Sequence, residues 1–278
     1  MKTHTLKRLL ITLLAMIMLG ETMTPAASKK VEAASERWGV FIGTHVRSLD
    51  KIKPYNYIVI DAQNYSKKEI KRLKTGGRKV YSYLSIGTIE KYRSYYKKFK
   101  KYGLKKYNNW NSERWVDVRK KPWQNYIVKK LVPRLKKKGI NGLWIDNTDV
   151  YYEYHKKKVF NSLVSMLRKI HKKKIPIIIN GGDVFVDKLI KKNKQYIIDG
   201  IMQEEVLTLI KDYDKGVFTR QGQEDYNYFT SYIQRCKAKG IKVSLLEYTK
   251  DPAMRQEIID YCKKNGYSYY ICNNVMLK

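Results

Sequence analysis

The sequence predicts an α/β protein built as a parallel (β/α)8 TIM barrel, and three observations carry the prediction. Eight short runs rich in β-branched and aromatic residues recur along the chain, and amphipathic, helix-like stretches separate most of them. No run leads into a glycine fingerprint of the kind an open, doubly wound sheet uses for dinucleotides or phosphates, since "KTGGRK" precedes a strand and "NGGDVF" lacks the spacing. A chain of 278 residues with 43% hydrophobic content suits one such core.

In chain order, "MKTHTLKRLLITLLAMIML" sets Lys2, Lys7 and Arg8 before an uncharged stretch from Leu9 to Leu19. That stretch is too short to span a bilayer and reads as a secretory signal peptide, cut after Ala26 or Ala33; an uncleaved anchor is the competing reading. The expected division is a leader over 1–33 and a single barrel domain over 34–278. With no second stretch of membrane length, the mature chain is expected to be secreted, without a transmembrane segment.

The eight runs are "WGVFIG" (38–43), "YIVID" (57–61), "KVYSYLSIG" (79–87), "GLWIDN" (142–147), "IPIIING" (175–181), "GIMQEE" (200–205), "KVSLLEY" (242–248) and "YSYYICNN" (267–274). Helical stretches such as "SKKEIKRLKTGG", "WQNYIVKKLVPRLKKKG", "KVFNSLVSMLRKIHKKK" and "MRQEIIDYCKKNG" have Ser or Pro near their starts and Gly after several ends. Two places break the pattern: only "THVRSLDKIKP" follows the first run, and little chain follows the eighth. The outer ring of helices is therefore expected to be incomplete.

The formal charge is +33; the leader carries five basic and two acidic residues, so its removal leaves +30. Such a field attracts polyanions, and for an exported protein an anionic cell-wall polymer is the expected partner. The lysines cluster as "KKEIKRLK", "YKKFKKYGLKKY" and "KKLVPRLKKKG" on polar helix faces, not in one groove with interleaved aromatics, so specific nucleic-acid binding is not expected. Cys236, Cys262 and Cys272 are odd in number and show no metal spacing; one disulfide or three core thiols would account for them.

Chemistry in a (β/α)8 barrel belongs at the carboxyl ends of the strands. The runs end there in polar residues: Asp61, Ser85 with Glu90 beyond, Asp146, Asn180, Glu204 and Glu205, Glu247, and Asn273 with Asn274. Acids gathered at one rim of so basic a chain imply an acidic floor in a basic shell. Carboxylates without a histidine or thiolate partner point to acid and base work on an acetal, as in glycoside hydrolysis. His45, His155 and His171 stand apart, with no HExxH, so no metal or other cofactor is expected, although carboxylates alone suit a hard cation such as Ca2+. The serine in "YLSIG" has no nucleophile elbow around it.

These residues also carry a family resemblance. "KVYSYLSIGTIEKYR", "WVDVRKKPWQ", "KGINGLWIDNTDVY", "IIINGGDVF" and "DGIMQEEVL", in that order over nearly all the mature chain, resemble the endo-α-1,4-polygalactosaminidase family, glycoside hydrolase family 114. The resemblance implies a barrel acting on α-1,4-linked galactosamine or N-acetylgalactosamine polymer, with Asp146 and Glu204 as the catalytic pair. A barrel that has lost turnover and only binds glycan or wall polymer is the alternative.

Around that pair, Asp61, Tyr83, Asn147, Asp149, Tyr151, Asn180, Glu247 and Tyr248 are the expected substrate contacts. Asp149 is equally a cap for the helix after it. Glu205 should face away from Glu204 by strand alternation, whereas Glu247 is read as inward and is the reserve acid. Asp117 and Arg119 suggest an ion pair bracing the long loop after the third strand. Trp110 and the tyrosines offer faces to sugar rings. Glu204 is assigned the acid, because Asp146 sits beside Asn147 and a tight turn whose amides would stabilise its charge.

Overall fold

The computed structural model describes residues 36–107 and 110–278; the expected leader lies outside the described residues. Apolar, β-branched runs too short for helices form the strands. The first, β1 (Trp38–Phe41), is followed by a 3-10 turn over Asp50–Ile52 and then β2 (Tyr57–Ile60). Helix α1 (Lys67–Leu73) starts at a capping box: Ser66 Oγ accepts from the Glu69 amide at 3.2 Å, and the Glu69 carboxylate accepts from the Ser66 amide at 2.7 Å. β3 (Lys79–Ser85) follows.

The segment read as a long loop after the third strand holds a small sheet of its own. β4 (Thr88–Glu90), α2 (Tyr96–Phe99), β5 (Gly103–Lys106) and β6 (Glu113–Val116) lie there, the strands pairing antiparallel in the order β4-β6-β5. Helices α3 (Lys121–Tyr126) and α4 (Val132–Lys138), joined by a π-helical turn, lead to β7 (Gly142–Asp146). α5 (Val150–Glu153) and α6 (Lys157–His171) precede β8 (Ile177–Asn180), and α7 (Asp183–Lys191) precedes β9 (Gly200–Glu204). A second unforeseen insertion, the hairpin of β10 (Thr208–Asp212) and β11 (Val217–Arg220), comes before α8 (Gln223–Ala238). β12 (Lys242–Tyr248), α9 (Pro252–Asn265) and β13 (Ser268–Cys272) complete the barrel.

The eight barrel strands are all parallel, in the order β1-β2-β3-β7-β8-β9-β12-β13, and a parallel bridge from Arg37 to Tyr269 joins the two edges. Among the described residues no α-helix separates β1 from β2, so the outer ring is incomplete there, as expected. None of the described helices is long and apolar enough to cross a membrane.

Alternation along each strand divides the core in two. Val59, Tyr81, Tyr83, Trp144, Ile178, Met202, Leu246 and Tyr248 fill the lumen, while Ile60, Leu84, Ile145, Ile179, Ile201 and Leu245 pack outward against the helices. The parity carries to the strand ends: it turns Asp61, Ser85, Asp146, Asn180 and Glu204 inward at the upper rim. The three cysteines are free and buried, as core thiols.

Candidate active site

One cavity of about 660 Å³ opens at the carboxyl ends of the strands, and its wall includes six acids, Asp61, Glu113, Asp146, Asp149, Glu204 and Glu205, against a single arginine, Arg93. Asp146 and Glu204 meet at Asn180. Its Nδ2 donates to Glu204 Oε1 at 2.6 Å and to Asp146 Oδ1 at 3.3 Å, so those two oxygens can be no more than 5.9 Å apart. Asn147 Nδ2 donates to Asp146 Oδ2 at 3.1 Å, and Tyr248 Oη donates to Glu204 Oε2 at 2.6 Å.

Both carboxyls bind their protons more tightly than free side chains do. Burial is the larger cause for Asp146, followed by the charges of Glu204 and Glu113, and it is held well above the usual carboxylate range. Burial raises Glu204 as well, but the hydrogen bonds from Tyr248 and Asn180 offset part of the rise. The Tyr248 hydroxyl, itself held up by burial and by Glu204, stays protonated.

The backbone that presents Asp146 is closely fitted. Asn147 adopts a left-handed conformation (φ 61°), which asparagine tolerates better than most residues. A Cβ placed on Gly87 would stand 1.8 Å from the Asn147 carbonyl oxygen, so only glycine lets the turn after β3 lie against it. Asp149 accepts from the Gly182 amide at 3.2 Å and is pushed up to about 6, by burial first and then by Asp183. The Asp61 oxygens are occupied by Arg93 Nη1 at 2.6 Å, Asn64 Nδ2 at 2.9 Å and the Gln63 amide at 3.3 Å. Arg93 lies against the rings of Tyr83 and Tyr92.

The sequence matches glycoside-hydrolase family GH114 over residues 20–275. The chain belongs to this family. It is a glycoside hydrolase. No curated protein matches it in sequence. Its barrel is similar to the glycoside hydrolase domain of PelA from Pseudomonas aeruginosa, at 17% identity over 87% of this chain and 95% of that one, with a TM-score of 0.73. It is similar also to Aspergillus fumigatus Ega3, solved in complex with galactosamine, at 18% identity over 88% and 94% of the two chains (TM-score 0.67). The α-galactosidase TtGalA of Thermus thermophilus shares the fold more loosely, at 9% identity over 84% and 57% (TM-score 0.56).

The hydrolase's cavity is lined by Asp61, Tyr83, Asp146, Asn147, Asp149, Asn180, Glu204, Tyr248 and Trp110. Two expected contacts are not among its lining residues. Tyr151 packs outward against Phe160 and Phe185, with its hydroxyl 3.2 Å from His155 Nε2, because it lies on α5, behind the rim. Glu247 lies between the inward Leu246 and Tyr248 and so points outward, where it is fully buried and accepts from the Val206, Leu207 and Thr208 amides at 2.9 to 3.2 Å. Glu205 reverses the other way. β9 ends at Glu204, so alternation stops, and a left-handed Glu205 (φ 56°) lines the cavity, its carboxylate accepting from the Ile210 amide. Burial pushes it up to about 7. Asp117 and Arg119 do pair, at 2.7 and 3.0 Å, beside the inserted sheet.

Glu113, Arg93, Tyr107 and Tyr213 line the cavity without having been singled out. They come from the two insertions, whose strands run only three to five residues, too short for a period of two to stand out.

Proposed function

We propose that this hydrolase cleaves an α-1,4-linked galactosamine polymer with retention of configuration, Asp146 acting as nucleophile and Glu204 as acid and then base. The observation that carries the mechanism is the asparagine bridge, which limits the nearest carboxyl oxygens to 5.9 Å. Retaining glycosidases hold their carboxyls about 5–5.5 Å apart, whereas inverting ones leave about 6.5–9.5 Å for a water.

Donor chemistry separates the roles. The side-chain donors on Asp146 are amide N–H groups, which can only donate and so offset part of the rise that burial and neighbouring charge impose on it; the Asn180 amide is shared with Glu204. Glu204 Oε2 faces a hydroxyl, which can turn to accept when Glu204 carries the proton. Glu204 then gives that proton to the leaving glycosidic oxygen while Asp146 bonds to the anomeric carbon. In the second step Glu204 takes a proton from water, and the hydroxide displaces Asp146 from the sugar. Asp61, Tyr83, Asn147, Asp149, Asn180 and Tyr248 hold the sugars around this bond.

The acidic wall favours a cationic amino-sugar polymer, and the galactosamine bound to similar Ega3 agrees with it. In hydrolysis of an α-1,4-galactosamine oligomer followed by proton NMR, the α anomer should appear first; a first-formed β anomer overturns retention. Asp146→Asn and Glu204→Gln should each cut turnover by roughly 10³-fold or more with the melting temperature preserved. Wild-type turnover in both folded variants would refute the pairing.

The protein acts outside the cell membrane, tethered by its basic surface to anionic wall polymer. Exposed lysines such as Lys137, Lys172, Lys174, Lys192, Lys239 and Lys264 end the crossover helices or the turns after them, at the foot of the barrel away from the acidic mouth. Retention on isolated cell walls should fall steeply as salt rises from about 0.1 M to 1 M, where the Debye length shrinks from about 10 to 3 Å. Salt-independent retention ends the tethering idea.

A further inference from the structure

The small sheet beside the mouth breaks a rule of strand pairing. β4 and β6 place Glu90 directly opposite Glu113, and both are buried. Like charges facing each other across a ladder destabilise it, and burial sharpens the cost. Arg93 answers only part of it, spending Nη2 on Glu90 Oε1 at 2.7 Å and Nη1 on Asp61. A cost of this kind is retained where it serves a site.

Glu113 is connected to the reaction centre by hydrogen bonds. Thr88 Oγ1 donates to Glu113 Oε2 at 2.8 Å. The same Thr88 oxygen accepts from Asn147 Nδ2 at 3.1 Å, and that amide also donates to Asp146 Oδ2 at 3.1 Å and to Ser85 Oγ at 3.1 Å. The Ser85 and Thr88 hydroxyls are 2.7 Å apart. While Glu113 is ionised, it holds the Thr88 proton, so the Thr88 oxygen is left to accept from Asn147. One N–H of the amide is thereby fixed on the hydroxyl pair and the other on Asp146. Without that anchor the Thr88 proton is free to turn toward Ser85, and the amide loses its fixed orientation.

We propose that Glu113 is a positioning residue for hydrolysis: through Thr88 and Asn147 it orients the amide that holds Asp146 and sets how readily Asp146 gives up its proton. This rests on Asp146 as the nucleophile. The charged and titratable groups facing Glu113 are Glu90 across the ladder, Arg93 from the turn beyond it, and the phenols of Tyr83, Tyr92 and Tyr107. Asp146 faces Glu204, Asp149 and Glu113. The phenols are all raised by burial and stay neutral, so above about pH 7, where Glu113 is ionised, replacing it with Gln removes one negative charge from beside Asp146 with no cation to replace it.

The test is the pH profile of kcat/KM for Glu113→Gln on a galactosamine oligomer. The acid limb, which reports ionisation of the nucleophile, should move to lower pH by up to about one unit, the order a nearby like charge produces. Thr88→Val, which cuts the connection but leaves Glu113, should lower kcat, and Thr88→Ser should recover most of the loss. A profile whose limbs coincide with the wild type in Glu113→Gln, or equal loss in Thr88→Val and Thr88→Ser, overturns the proposal. Movement of the alkaline limb instead would uphold the influence of Glu113 on Asp146 while showing that Asp146, not Glu204, is the acid. Should Glu113→Gln fail to fold, the two Thr88 variants decide.

Discussion

Glu204, at the end of β9, and Glu247, one residue before the end of neighbouring β12, point in opposite directions: Glu204 is half-buried in the cavity wall, and Glu247 is fully buried behind it. At the mouth, Glu204 faces a hydroxyl and a side-chain amide, groups that can turn or shift when a ligand arrives. Behind the wall, Glu247 faces the amides of Val206, Leu207 and Thr208 and the Thr208 hydroxyl, at the root of the β10–β11 hairpin. Burial raises both, Glu247 to about 7. A raised pKa alone therefore does not separate a reacting carboxyl from a structural one; the kind of donor around it does. Backbone amides lock a carboxyl in place, and a locked carboxyl fastens a loop.

The largest effect that tests this contrast comes from exchanging the same atom in each. Glu204→Gln should abolish turnover with little change in the melting temperature. Glu247→Gln should do the reverse: its new amide nitrogen would meet backbone N–H groups donor to donor, leaving buried donors unpaired at a cost of about 1–3 kcal/mol each. Because the hairpin carries Ile210 and Tyr213 into the cavity wall, KM should rise more than kcat falls. Thermal melts and steady-state kinetics on both variants check this, and a destabilised Glu204→Gln with a stable but inactive Glu247→Gln would break the distinction.

The same contrast marks how far the sequence could be read. The eight barrel strands were legible because each is a continuous apolar run bounded by turns, as strands buried on both faces are. That same continuity hides parity. In "KVSLLEY" both Leu245 and Leu246 are apolar, so nothing in the run says which faces the lumen, and Glu247 was read as inward. In "GIMQEE" the parity of Glu204 was read correctly, but the strand's end was not visible, and Glu205 escapes alternation by its left-handed backbone. Tyr151 failed for a different reason: its place is fixed by how α5 packs, which is tertiary. The hairpin left only a turn signal, the glycine at Gly216 (φ 59°). Glu113 left none, since its importance lies in a pairing with Glu90 across 23 residues of chain.

The smaller effect concerns stability against pH. Glu113 is pushed up to about 7, by burial first and by Glu90 next, from 4.5 in a free side chain. It therefore binds its proton more tightly folded than unfolded, which favours the folded state at low pH. That contribution is complete below about 4.5 and is lost as pH climbs through about 7. Wild-type stability at any pH also feels the repulsion of a strongly basic surface, so the informative quantity is the difference between Glu113→Gln and wild type at each pH. At pH 5 both carry a neutral group and the difference should be small; by pH 8 only the wild type carries a buried charge facing Glu90, and the variant should be the more stable by on the order of 1–3 kcal/mol. Urea unfolding at the two pH values measures it. A gain in stability that grows with pH, together with a loss of catalytic performance, would show that the hydrolase keeps Glu113 for its reaction at the expense of its fold; a difference independent of pH would mean that Glu113 is ionised throughout and that neither burial nor Glu90 raises it.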